Sequence, residues 1–162
     1  MQHFSGRTKM ASYSRILLCY DATREGHLAL RRGADLALQL QAQTHLLAVL
    51  NNTGWGQGFE APPVDLTELQ ETSARDILRE GVADLATFGV FATGHLAIGN
   101  PAVQIPRYAR DLDADLIVLG HHRQGRLARW WTGNMDGQLL DGVDCSVLVV
   151  VDEGGGVARH KG

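Results

Sequence analysis

Cysteine is scarce in this chain, with Cys19 and Cys145 the two in 162 residues. Each sits in an apolar run. Both therefore read as small core residues rather than as a disulfide framework or a thiolate metal site, and a reducing compartment, the cytoplasm, is expected. Long hydrophobic runs are lacking as well. No stretch approaches the roughly 18–20 apolar residues that span a bilayer, so a membrane is not an expected partner. The opening Met1–Ser12 has no apolar core of the secretory type and is expected to be a disordered extension, with Met10 a candidate native start. Positive charge is in the minority, 15 Lys and Arg against 18 Asp and Glu, for a formal net charge of −3. That leaves no global field to hold nucleic acid, which is not an expected partner either. Three signatures of chemistry are missing too. The chain has no Gly-x-Ser-x-Gly elbow, no Gly-x-x-x-x-Gly-Lys-Ser/Thr loop and no Gly-x-Gly-x-x-Gly after its first apolar run.

What is present is alternation. Apolar runs at Arg15–Tyr20, His45–Leu50, Val90–Ile98, Asp115–Leu119 and Ser146–Val151 read as strands, unbroken runs being the mark of strands covered on both faces. The third is the weakest, because Gly94 and His95 interrupt it. Between them lie helical stretches. From Arg24 to Gln41, residues Ala29, Gly33, Leu36, Ala37 and Leu40 share one face. Asp65-Leu66-Thr67-Glu68 has capping-box form and opens a second helix, with Leu69, Ile77, Gly81 and Leu85 on its buried side and Gly89 as its stop. Asn100-Pro101 opens a third helix, in which Pro106 either makes a kink or delays the regular part to about Ile105. A short fourth helix spans about Asn134–Leu140.

The order β-α-β-α-β-α-β-α-β predicts an α/β fold, a doubly wound five-stranded parallel sheet with helices on both faces. The strand order expected is 3-2-1-4-5. Residues 13–152 form the one domain, and residues 153–162, with Gly154–Gly156, form a flexible tail. In such a sheet a ligand sits beyond the carboxyl ends of the strands where the order reverses, here between Asp21 and Gly120.

Asp21 ends the first strand. It either accepts hydrogen bonds from an adenine or ribose or caps the following helix. Gly120 to Asn134 combines glycines with His121, His122, Arg123, Arg126 and Arg129, and Gly133-Asn134 offers a helix start. The segment reads either as a phosphate cradle or as a solvated basic loop over Trp130 and Trp131. His121-His122 lacks zinc-ligand spacing, and no metal is expected. Asn51–Val64 is the longest irregular stretch, and its Trp55 and Phe59 are expected to fold back over a core edge.

Taken together, Arg15-Ile16-Leu17-Leu18-Cys19-Tyr20-Asp21, Gly99-Asn100-Pro101, Asp113-Ala114-Asp115-Leu116-Ile117-Val118-Leu119-Gly120, Gly133 and Cys145-Ser146-Val147-Leu148-Val149-Val150 resemble the universal stress protein family in order and spacing. The resemblance runs from Arg15 to Val151. It implies the adenine nucleotide α-hydrolase-like form of the fold, a role in stress response or regulation, no efficient enzymatic activity and unknown protein partners. It also implies a homodimer paired through the edge strand Ser146–Val151.

One class of the family binds ATP through Gly-x-x-Gly-x9-Gly-Ser/Thr after strand four. Here Gly120 and Gly133 match the first and third glycines, Arg123 stands at the second, and Asn134 replaces the hydroxyl residue. Asp21 matches the aspartate near base and ribose, and Val49 falls where strand two lines the adenine pocket. The other class does not bind ATP and often carries Gly-His-His, which Gly120-His121-His122 reproduces. The implied site is therefore a degenerate nucleotide site, with no certain cofactor. The alternative is an ATP- or ADP-binding sensor or very slow ATPase using Mg.

Overall fold

The run Ile16–Cys19 becomes the central strand because both of its faces are covered, which only an all-apolar segment tolerates. In the computed structural model, which describes residues 12–51, 64–122 and 135–152, the elements are β1 (Arg15–Cys19), α1 (Arg24–Leu40), β2 (Gln43–Leu50), α2 (Val64–Thr87), β3 (Thr93–Ile98), α3 (Pro101–Asp111), β4 (Leu116–His122), α4 (Met135–Gly142) and β5 (Ser146–Asp152). All pairings are parallel, and the order is β3-β2-β1-β4-β5, as expected from the alternation.

Strand periodicity divides the core into two layers. Ile16, Leu18 and Tyr20 face α1 and α2, packing with Ala29, Leu30, Ala34, Leu46 and Leu85. Leu17 and Cys19 face the opposite way, toward Ile105, Ala109 and Leu139 of α3 and α4. Small residues on α1 bring it close to the sheet, and a Cβ on Gly33 would collide with Leu18. The buried stripe of α1 is Ala29, Leu30, Gly33, Ala34 and Ala37, while Leu36 and Leu40 are half-buried at its margin.

Asp115 fastens the start of β1 to the start of β4. Its carboxylate accepts from the Ser14 N–H at 2.8 Å, the Ser14 hydroxyl at 2.9 Å and the Arg15 N–H at 3.0 Å. Burial opposes its charge, but these hydrogen bonds outweigh it and hold its pKa below the usual carboxylate value. α2 ends in a Schellman turn, with Val90 N–H on the Leu85 carbonyl, Gly89 N–H on the Ala86 carbonyl and Gly89 at φ +84°.

Several boundaries differ from expectation. β3 begins at Thr93, because Val90 is drawn into the core while Phe91 is 87% exposed. Gly94 and His95 do not interrupt it; Leu78 and Val82 of α2 fill the space beside Gly94. α3 already starts at Pro101, not near Ile105, and continues through Pro106, which is buried and packs against Gly142 at the end of α4. Leu69, placed on the buried side of α2, is 63% exposed. β4 runs three residues beyond Leu119, because Gly120, His121 and His122 continue its ladder with Val150, Val151 and Asp152. The two histidines therefore belong to a strand and not to the basic loop. Trp55, Phe59, Trp130, Trp131, the extension 1–11 and the tail 153–162 lie outside the described residues.

Candidate functional site

β1 ends at Cys19, and the chain then turns sharply into α1. The turn places Ala22 at φ +58°, an uncommon conformation for a residue with a Cβ. Thr23 is the N-cap of α1, its hydroxyl accepting from the Gly26 N–H at 3.1 Å. That hydroxyl donates in turn to Asp21 Oδ1 at 2.6 Å, and the Thr23 N–H reaches the same oxygen at 3.1 Å. The helix is thus capped by Thr23, not by Asp21. The carboxylate braces the cap from behind with one oxygen.

Across the sheet, β1 pairs with β4 through Leu18 and Val118, so β1 stops beside Leu119 while β4 runs on to His122. The first turn of α1 wedges between their ends. A Cβ on Gly26 would approach Asp21 Oδ1 to 2.5 Å, and one on Gly120 would run into the Glu25 carbonyl and lie 3.1 Å from the Glu25 Cβ. Asp21 and Gly120 are therefore brought to the same helix start. Gly120 was expected to lend backbone freedom to an anion cradle. Among the described glycines, however, φ is positive only at Gly89 and Gly99. The structure requires glycine at 120 because the backbone of α1 occupies the space of a side chain.

A cleft of about 500 Å³ opens beyond the carboxyl ends of β1 and β2, overhung by the first turns of α2. Tyr20, Asp21, Val49 and Asn51 line it from the sheet, and Gln70 and Ser73 from α2. Its walls carry apolar surface from Val49, Leu69 and Ile77 with a few polar groups between, the usual composition of a small-molecule site. Of the residues singled out in the sequence, Asp21 and Val49 line this cleft. Gly120 does not appear in its lining, and His121 is half-buried in β4. His122 is placed by its backbone alone, and Arg123, Gly133 and Asn134 lie outside the described residues. Sequence reading missed Tyr20, Gln70 and Ser73. For Ser73 the only signal was its helical spacing with Leu69 and Ile77, which reads equally well as a core stripe; Tyr20 read as the end of an apolar strand run, and nothing marked Gln70.

Tyr20 is 1% exposed, and its hydroxyl donates to Glu80 Oε1 at 3.0 Å. Burial and the Glu80 carboxylate push its phenol pKa up, so it stays protonated as a donor. On the α3 side, His45 Nδ1 meets His95 Nε2 at 3.1 Å, and His95 stacks edge-on to Tyr108. Burial first, then the neighbouring His95 and Arg15, lower the His45 pKa; burial lowers that of His95.

A doubly wound parallel sheet with a cleft past its central strand ends defines the class: an open α/β sheet domain, in which any ligand is expected beyond the carboxyl ends of the strands. Within that class, the chain belongs to the universal stress protein family, whose family model matches residues 12–151. It is 29% identical over 147 residues to a protein of Staphylococcus saprophyticus assigned to the universal stress proteins, covering 89% of this chain and 87% of that one. The solved structure of universal stress protein UspA from Lactobacillus plantarum matches with a TM-score of 0.68 at 25% identity, over 86% of this chain and 99% of that one. A universal stress protein from Archaeoglobus fulgidus, solved in complex with dAMP, matches with a TM-score of 0.61 at 19% identity, over 86% of this chain and 98% of that one. Among the described residues, no helix is long and apolar enough to cross a membrane.

Proposed function

We propose that this chain is a non-enzymatic stress-response protein whose cleft takes the nucleoside part of an adenine nucleotide, with a phosphate loop that has lost part of its pattern. The observation that carries this reading is the cleft itself. It has the volume for an adenosine and an apolar wall at Val49, and Asp21 keeps its second carboxylate oxygen outside the bonds to Thr23. The dAMP complex of the Archaeoglobus fulgidus relative supports an adenine nucleotide as the ligand class. Arg123 and Asn134 at motif positions favour weak engagement of a triphosphate. The Ser73 hydroxyl, a potential nucleophile on the cleft, is committed to the Leu69 carbonyl at 3.0 Å, which favours binding over catalysis. Calorimetric titration with AMP, ADP and ATP, each with and without Mg, tests the reading. Binding of all three with no gain from added phosphates supports it. Heat absent for every nucleotide at millimolar concentration refutes it, and tight Mg-dependent ATP binding points instead to the ATP-sensing alternative.

The same reading includes a homodimer formed through β5. Leu148, Val149 and Val151 are 37–40% exposed on this edge strand, a row of apolar side chains that a second copy would cover. A cytoplasmic location accords with the two free thiols.

A further inference from the structure

Away from the cleft residues, α1 and α2 bring together three side chains, of which His27 is far in sequence from the other two. Glu80 and Asp84 project from successive turns of α2, four residues apart, and His27 faces them from the second turn of α1. His27 Nε2 lies 3.6 Å from Glu80 Oε1, and its Nδ1 lies 3.6 Å from Asp84 Oδ2. With one donor atom taken from each residue, all three atoms fall within 4.8 Å of one another. The buried Tyr20 hydroxyl closes the floor, 3.0 Å from Glu80 and 3.2 Å from the His27 ring nitrogens.

We infer that His27, Glu80 and Asp84 form a binding site for a first-row divalent transition cation such as Zn²⁺. Three arguments carry it. The donor set, one imidazole and two carboxylates, suits such an ion and carries two negative charges when the histidine is neutral. Bond lengths of about 2.0–2.2 Å place ligand atoms about 3.3 Å apart; with a single ring nitrogen of His27 as ligand the three donor atoms lie within 4.8 Å, a gap that rotation of these exposed side chains would close. The donors keep 40–50% of their side-chain surface open, which leaves room for water to complete the coordination. Tyr20 supplies an outer contact, fixing Glu80 through a hydrogen bond as the partners of metal carboxylates do. The absence of metal-ligand spacing in the sequence is no obstacle, because the ligands come from separate helices.

Titration of the chelator-stripped full chain with Zn²⁺, and with Co²⁺ for its visible absorption, tests this without any nucleotide. One saturable equivalent is expected, with a Co²⁺ spectrum of nitrogen and oxygen ligands. His27→Gln and Glu80→Gln should each weaken binding by about tenfold or more, and Tyr20→Phe, which keeps all three ligands, by a smaller factor. Replacing both His121 and His122 by alanine should leave it intact. Circular dichroism confirms that each variant folds. The inference is overturned if no saturable binding occurs up to about 1 mM, if His27→Gln binds like the parent, or if loss of His121 and His122 abolishes binding. Its failure would leave the cleft reading untouched, since none of the three ligands lines the cleft.

Discussion

Gly120 separates two explanations of a family glycine, and Gly120→Ala is the substitution that decides between them. The added methyl would sit 2.5 Å from the Glu25 carbonyl carbon and closer still to its oxygen. Both are backbone atoms in the first turn of α1, so no side-chain rotation relieves the contact. Either the start of α1 lifts from the sheet or the end of β4 bends away from β5. Overpacking of this kind costs about 1–3 kcal/mol. With a urea dependence of about 2 kcal/mol per molar for a domain of this size, a 2 kcal/mol loss moves the unfolding midpoint down by about 1 M. Urea melts followed by circular dichroism read this directly, with nucleotide titration run on the same samples. If the variant unfolds within about 0.5 kcal/mol of the parent, the packing account is wrong. Unchanged stability with weakened nucleotide binding would restore the role as a flexible anion cradle.

Three further outcomes are expected. Ala22→Gly should stabilise the chain by about 0.5–1 kcal/mol, since it relieves a left-handed residue while adding freedom to the unfolded chain; urea melts check it. His45 and His95 have lowered pKa values, so the unfolded chain takes up protons first. Their contribution to stability is complete above about pH 6.5 and is lost as the pH falls toward the folded values. Melts from pH 8 to 5 should show that slope, and replacing both by Gln should flatten it; the contribution of Asp115, lowered in the same sense, fades only at more acidic pH. Val149→Lys should shift a dimer to monomer in sedimentation with little change in monomer stability, and an unchanged assembly would remove β5 as the interface.

The fold was legible because its strongest signals are local. The runs at Ile16–Cys19 and Leu116–Leu119 suit strands covered on both faces, and once helices alternate with them a parallel sheet follows, with handedness narrowing the strand order to a few topologies, of which 3-2-1-4-5 was the one expected. The end of β4 was not legible. His121 and His122 look like loop residues, and only pairing with Val151 and Asp152 makes them strand. The start of α3 was not legible either: Pro106 suggested a late start, yet the helix runs from Pro101 with Pro106 buried inside it. At the site, Asp21 and Val49 were found through the switch-point rule and the resemblance, and both line the cleft. The bracing of the cap through Thr23 and the packing demand at Gly120 depend on the approach of α1, which no spacing in the sequence encodes.

Tyr20 belongs to the lining of the cleft, while its ring edge packs against Gly81 of α2 and its hydroxyl bonds Glu80 on the same helix. A ligand that tilts this ring therefore also moves the oxygen that anchors Glu80, and any event at Glu80 returns through the same lever. Thermodynamic reciprocity makes the two influences equal in free energy. Any such coupling would run through one aromatic side chain, with no movement of the sheet required.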